Sequence, residues 1–87
     1  MSMITGGQIR SARATLRWSV QQLAEKAGVS VQTIKRFEAA EGIPRSRTQT
    51  LLEIKAALEA GGIEFIGTPE VGPGIRTRPR QLDSDER

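Results

Sequence analysis

Two short amphipathic stretches meet at Gly28, and few folds accommodate them. The run Ser19 to Glu38 reads SVQQLAEKAGVSVQTIKRFE. Ser19 is a good N-cap, with Gln22 standing three residues on as its capping-box partner. Leu23, Ala24 and Ala27 recur at three- and four-residue spacing, so they share one face of a helix. Gly28 ends that helix, because glycine takes the left-handed conformation that a chain reversal needs. Val29 fills the corner. Ser30 caps a second helix whose apolar positions are Ile34 and Phe37, leaving Gln32, Thr33, Lys35 and Arg36 on the polar side.

Two helices joined by so short a turn, A-G-V-S, form the pattern of a helix-turn-helix. In that arrangement the second helix enters the DNA major groove and offers its N-terminal side chains to base edges. An αα-hairpin in a small bundle gives the same apolar signal without any nucleic acid. The exposed chemistry favours DNA: the second helix carries an amide, a hydroxyl and cations, and its early charges, Lys35 and Arg36, are both positive.

The run Arg13, Trp18-Ser19, Leu23-Ala24, Ala27-Gly28-Val29-Ser30, Thr33-Ile34, Phe37-Glu38 and Pro44 resembles the Cro and lambda-repressor-like (XRE) helix-turn-helix family. The likeness covers about residues 7–60. The segment ALEAGGIEFI to GPGIR, within Ala57 to Arg76, is similar to the ending of small single-domain regulators of that kind. The resemblance implies that Gln32, Thr33 and Arg36 read bases and that Gln21 lies near a phosphate-contacting helix start. It implies a structural ion pair between Arg13 and Glu38. It also implies that the loop before the fourth helix lies against the DNA backbone, where Arg45, Ser46 and Arg47 would contact phosphates; Lys35, on the second helix of the motif, is a further candidate for a phosphate contact. Two positions depart from the family pattern. Val20 stands where Gln is common after the cap, and Ala40 stands where Gly usually follows the Glu, with Gly42 coming later.

Composition narrows the chemistry. Eighty-seven residues allow one domain and a modest core, with Trp18, Phe37 and Phe65 its only aromatics. A core this small favours oligomers. The formal charge is +3, which gives mild support to an anionic partner. Most of the cations are arginines, suited to bidentate recognition of phosphate or guanine. There is no Cys, His or Tyr, and Asp occurs only at positions 83 and 85. That inventory removes disulfides, a histidine-ligated metal, a cysteine nucleophile and a hydrolytic triad. No catalytic residue, metal or cofactor is therefore expected, and the protein is not read as an enzyme. No apolar run is long enough to span a bilayer, and the N-terminus has no signal-peptide core, so a cytoplasmic protein is expected.

The expected fold is mostly α: a four-helix lambda-repressor-like domain over residues 1–61, a β-hairpin over 62–78 and a disordered tail over 79–87. Thr5 or Gly6 starts a first helix running to about Leu16, with Ile9, Ala12 and Leu16 inward. Trp18 belongs to the core. Gly42 and Pro44 break helix, Ile43 tucks inward, and Arg45 and Arg47 flank Ser46 as a candidate phosphate clamp. A fourth helix from Thr48 to Ala60 turns Leu51, Ile54 and Leu58 to the core, and Gly61-Gly62 stops it. Ile63 to Ile66 and Ile75 to Arg78 read as two strands. A lone hairpin is marginal in water, so it either pairs with a second copy across a two-fold axis or folds back on its own helices.

The expected partner is double-stranded DNA, bound by a homodimer. The alternative is a protein-interaction module, such as the DNA-binding antitoxin of a toxin-antitoxin pair, with a protein partner on the hairpin or the tail.

Overall fold

Each of the first three helices begins at a hydroxyl side chain that closes its own first turn. The computed structural model describes residues 4–43, 48–67 and 72–77. At the start of α1 (Gly6–Leu16), Thr5 Oγ1 accepts the Gln8 amide at 3.1 Å, and Gln8 Oε1 accepts the Thr5 amide at 2.9 Å. The same reciprocal box joins Ser19 and Gln22 before α2 (Val20–Ala27), at 3.0 and 2.7 Å. Before α3 (Val31–Ala39), Ser30 Oγ accepts the Thr33 amide at 3.1 Å. These caps satisfy amides that a helix leaves without an internal partner. Gly28 ends α2 at φ 73°, ψ 30°, in the left-handed region that the turn requires.

The core is built from one stripe per helix. Ile9 and Ala12 of α1, Leu23 and Ala24 of α2, Ile34 and Phe37 of α3, and Leu51, Ile54 and Leu58 of α4 (Thr48–Ala60) are all buried. Ile4 and Ile63 close its ends. Leu16, Trp18, Ala27 and Val29 pack against this cluster while only partly buried, so Trp18 sits at the margin of the core. There its ring lies against the backbone of Gly61: a β-carbon added there would come within 2.8 Å of the Trp18 ring.

One expected core position is outside. Ile43 is 41% exposed. Gly42 adopts φ 112° and gives its carbonyl to the Gly6 amide at 2.9 Å, which ties the loop to the start of α1 and turns the next side chain outward. The Pro44 to Arg47 stretch, with its expected phosphate clamp, lies outside the described residues, as do Arg78, the last residue of the expected hairpin, and the expected tail over 79–87.

The chain then forms an antiparallel hairpin of β1 (Ile63–Ile66) and β2 (Gly74–Thr77), pairing Ile63 with Thr77 and Phe65 with Ile75. The second strand starts one residue earlier than the sequence suggests. Alternation puts Ile63, Phe65 and Ile75 on one face, which packs on the core. On the other face Arg76 meets Glu64 through two 3.1 Å contacts. The hairpin folds back on its own helices, and Gln8 pins it there. The Nε2 of this buried side chain donates to the Gly74 carbonyl at 2.8 Å and reaches the Ile66 carbonyl at 3.4 Å. Among the described residues, no helix is long and apolar enough to cross a membrane.

Candidate nucleic-acid interface

Helix α3 is two-sided. Ile34 and Phe37 are fully buried and Glu38 is nearly so, whereas Gln32, Lys35 and Arg36 are exposed. Gln32 and Arg36 stand four residues apart and Lys35 lies beside them, so helical geometry gathers an amide and two cations on one outward ridge. The Ser30 cap spares the first turn of that ridge from fraying. Thr33 is half-buried, and its Oγ1 lies 2.9 Å from Ser30 Oγ, so part of its hydroxyl capacity is used by the cap. The Arg36 guanidinium rests 5.5 Å from the Phe37 ring centroid, an arrangement in which the aromatic face favours the cation.

Gln21 is exposed in the first turn of α2, while Gln22 is committed to the capping box. At the far end of α2, Lys26 Nζ lies 4.9 Å above the Trp18 ring.

Behind the ridge, α1 holds α3 in place. Arg13 Nε donates to Glu38 Oε2 at 2.6 Å and Nη2 donates to Oε1 at 3.0 Å, a bidentate pair. The third nitrogen, Nη1, donates to the Trp18 carbonyl at 2.9 Å, in the connection to α2. The hydrogen bond to Glu38 raises the pKa of the Arg13 guanidinium; burial opposes the rise and the charge of Glu38 adds to it. Arg10 adds a bond from Nη1 to the Glu38 carbonyl at 2.6 Å. The only sequence signal for this role of Arg10 is its place three residues before Arg13, which puts both on one face of α1.

The structure thus brings Gln32, Lys35 and Arg36 together on one ridge and sets Gln21 on the preceding helix. Arg45, Ser46 and Arg47 are not described. Among the described residues, no group of three acids, histidines or cysteines could hold a metal ion.

A capped helix pair, a glycine turn and an outward ridge of amide and cations define a helix-turn-helix protein of the DNA-binding class. The helix-turn-helix family model matches residues 9–53, over half of the chain. The chain belongs to the Cro/C1-type (XRE) helix-turn-helix family of DNA-binding regulators. The match ends inside α4, so the hairpin lies beyond it. No curated relative matches the chain.

Proposed function

We propose that the protein is a sequence-specific transcriptional regulator that binds an inverted-repeat operator as a homodimer. The observation that carries this reading is the exposed ridge of α3, with Gln32, Lys35 and Arg36 free to meet a groove. Gln32 offers the amide that pairs bidentately with adenine, and Arg36 the fork that suits guanine. Thr33 offers its methyl to a thymine. Lys35, Gln21 and the cluster Arg45, Ser46 and Arg47 supply phosphate contacts that set register and salt dependence. Arg13 and Glu38 act within the protein, holding α3 at a fixed angle to α1.

Two copies are needed to read two half-sites, with recognition helices about 34 Å apart. The hairpin, residues 62–78, is the element we assign to the contact between copies, through the face it leaves exposed when its other face packs on its own helices. Its outer face carries the Glu64–Arg76 pair and Ile66, which is 37% exposed.

Selection of bound duplexes from a random pool tests the reading. The expected result is a motif of two inverted half-sites, one helical turn apart between centres. Recovery of no motif, with uniform weak binding, would sink sequence-specific recognition. A single half-site, together with a monomer at micromolar concentration, would sink the dimer.

A further inference from the structure

Helix α1 ends on a residue that does not suit its backbone. Arg17 takes φ 60°, ψ 34°, and among the described residues it is the one non-glycine with positive φ. The β-carbon makes that conformation unfavourable, and a glycine, as at the equivalent end of α2, would adopt it without strain. The capping bond from the Arg17 amide to the Ala14 carbonyl, 3.0 Å, is one that any non-proline residue makes.

Among the described residues the side chain makes no contact that would explain its presence. Arg10 and Arg13 on the same helix are both engaged with Glu38. Arg17 is exposed, and among the described residues its guanidinium has no acid or carbonyl partner. The left-handed turn is closed by the capping bond and by one from the Trp18 amide to the Arg13 carbonyl, 3.1 Å. It is therefore the side chain that has no role inside the fold, and a side chain kept at a strained position without one points to function. The position fits. Arg17 stands two residues before Ser19, on the turn that leads into α2 and its exposed Gln21. Its neighbour Trp18 is bound through its carbonyl to Arg13, and Arg13 to Glu38 of α3. The turn is thereby fixed relative to the recognition helix.

We propose that Arg17 is a phosphate-contacting residue, gripping the duplex backbone at the flank where α2 begins. The assignment rests on the DNA-binding reading of α3. Arg17 would add sequence-independent affinity, and arginine persists where glycine would relax the turn.

The experiment compares the full chain with Arg17→Gly, Arg17→Gln and Arg17→Lys. Fluorescence anisotropy is measured across a salt series, on the best duplex from the selection and on a random duplex. Thermal melts are run in parallel. Arg17→Gly is expected to melt higher than wild type yet bind both duplexes about eightfold more weakly per bound subunit at 0.1 M salt, since one lost contact reduces the log–log salt slope by about 0.9. Arg17→Gln keeps the strain and should lose the same affinity. Arg17→Lys should retain most of the slope. The assignment is overturned alone if wild type binds and Arg17→Gly matches it in affinity and slope. It is also overturned if Arg17→Gly melts lower, because the residue then serves the helix end. Wild type that binds neither duplex overturns the DNA reading, and this assignment with it.

Discussion

Glu38 of α3 is held by Arg13 of α1 through both carboxylate oxygens, at 2.6 and 3.0 Å, while the same guanidinium reaches the Trp18 carbonyl at 2.9 Å. One side chain therefore joins the first helix, the turn into the second, and the third. A helix-turn-helix reads DNA only if α3 keeps its angle to the rest. This contact fixes that angle from behind, leaving Gln32, Lys35 and Arg36 exposed on the outward side.

Breaking the pair from either side should destabilise the fold. The Arg13 and Glu38 side chains are 20% and 9% exposed. Arg13→Ala strands the less exposed partner and should cost roughly 3 kcal/mol, the low end for a buried pair, because water still reaches part of the site. Glu38→Ala should cost less, since the longer side chain can turn to solvent. The double change Arg13→Met with Glu38→Leu should cost less than the sum of the two alanine variants. The partner raises the Arg13 pKa, so the arginine's share of this stability is complete below its unfolded value and lost only in strong alkali. Urea melts should therefore show no loss from the arginine side through the neutral range. Two small, additive single effects would mark the pair as a solvated surface contact instead.

Two neighbouring glycines should respond oppositely to alanine. A β-carbon at Gly6 would lie 2.4 Å from the Phe37 carbonyl oxygen and 2.5 Å from that of Ala40. Both are backbone atoms at the end of α3, so Gly6→Ala must push two helices apart, at about 1–3 kcal/mol. At Gly7 the nearest atoms are 3.8 Å away. Gly7→Ala should be neutral or stabilise by up to about 1 kcal/mol. Thermal melts of the two variants decide it; equal shifts would mean that α1 and α3 are not in backbone contact.

Gln8 has two tasks, and removing it should loosen the hairpin selectively. Its Oε1 completes the α1 cap and its Nε2 holds Gly74. Gln8→Ala should cost about 1–3 kcal/mol, because part-buried groups lose their partners. Amide exchange should accelerate at Phe65 and Ile75 while α3 stays protected. Unchanged exchange in both strands would show that apolar packing alone seats the sheet.

The helical part of this fold was legible because its signals are local. Ser19, Gln22, Gly28 and Ser30 act on backbone within a few residues, and the caps and turn stand where those residues put them. The stripes of Ile9 and Ala12, and of Leu51, Ile54 and Leu58, follow from helical period alone. Long-range contacts were less visible. The Gln8 side chain bonds a carbonyl 66 residues away. Nothing in the sequence says which polar side chain a returning strand will meet. Ile43 misled for a related reason: its outward turn depends on a bond between Gly42 and Gly6. The strained end of α1 has no such signal either, since an arginine does not announce a left-handed backbone in the way a glycine does. At the interface, the ridge of Gln32, Lys35 and Arg36 was readable from spacing, but the Arg10 bond to the Glu38 carbonyl was not.

Two residues on the ridge of α3 should separate sequence reading from general affinity. Gln32 and Lys35 are both exposed, and among the described residues neither side chain has a hydrogen-bond partner. Replacing either by alanine should therefore leave stability within about 0.5 kcal/mol. Gln32→Ala should relax preference at one base pair per half-site, costing roughly 1–3 kcal/mol on the selected duplex and little on random DNA. Lys35→Ala should weaken both duplexes alike and reduce the salt slope by about 0.9 per bound subunit. The difference arises because an amide recognises the edge of one base, whereas an ammonium recognises a phosphate that every base carries. Anisotropy on matched selected and random duplexes at several salt concentrations measures both effects. Identical losses on the two duplexes for both variants would mean that Gln32 touches backbone as Lys35 does, and base reading would then have to come from Arg36 or Thr33.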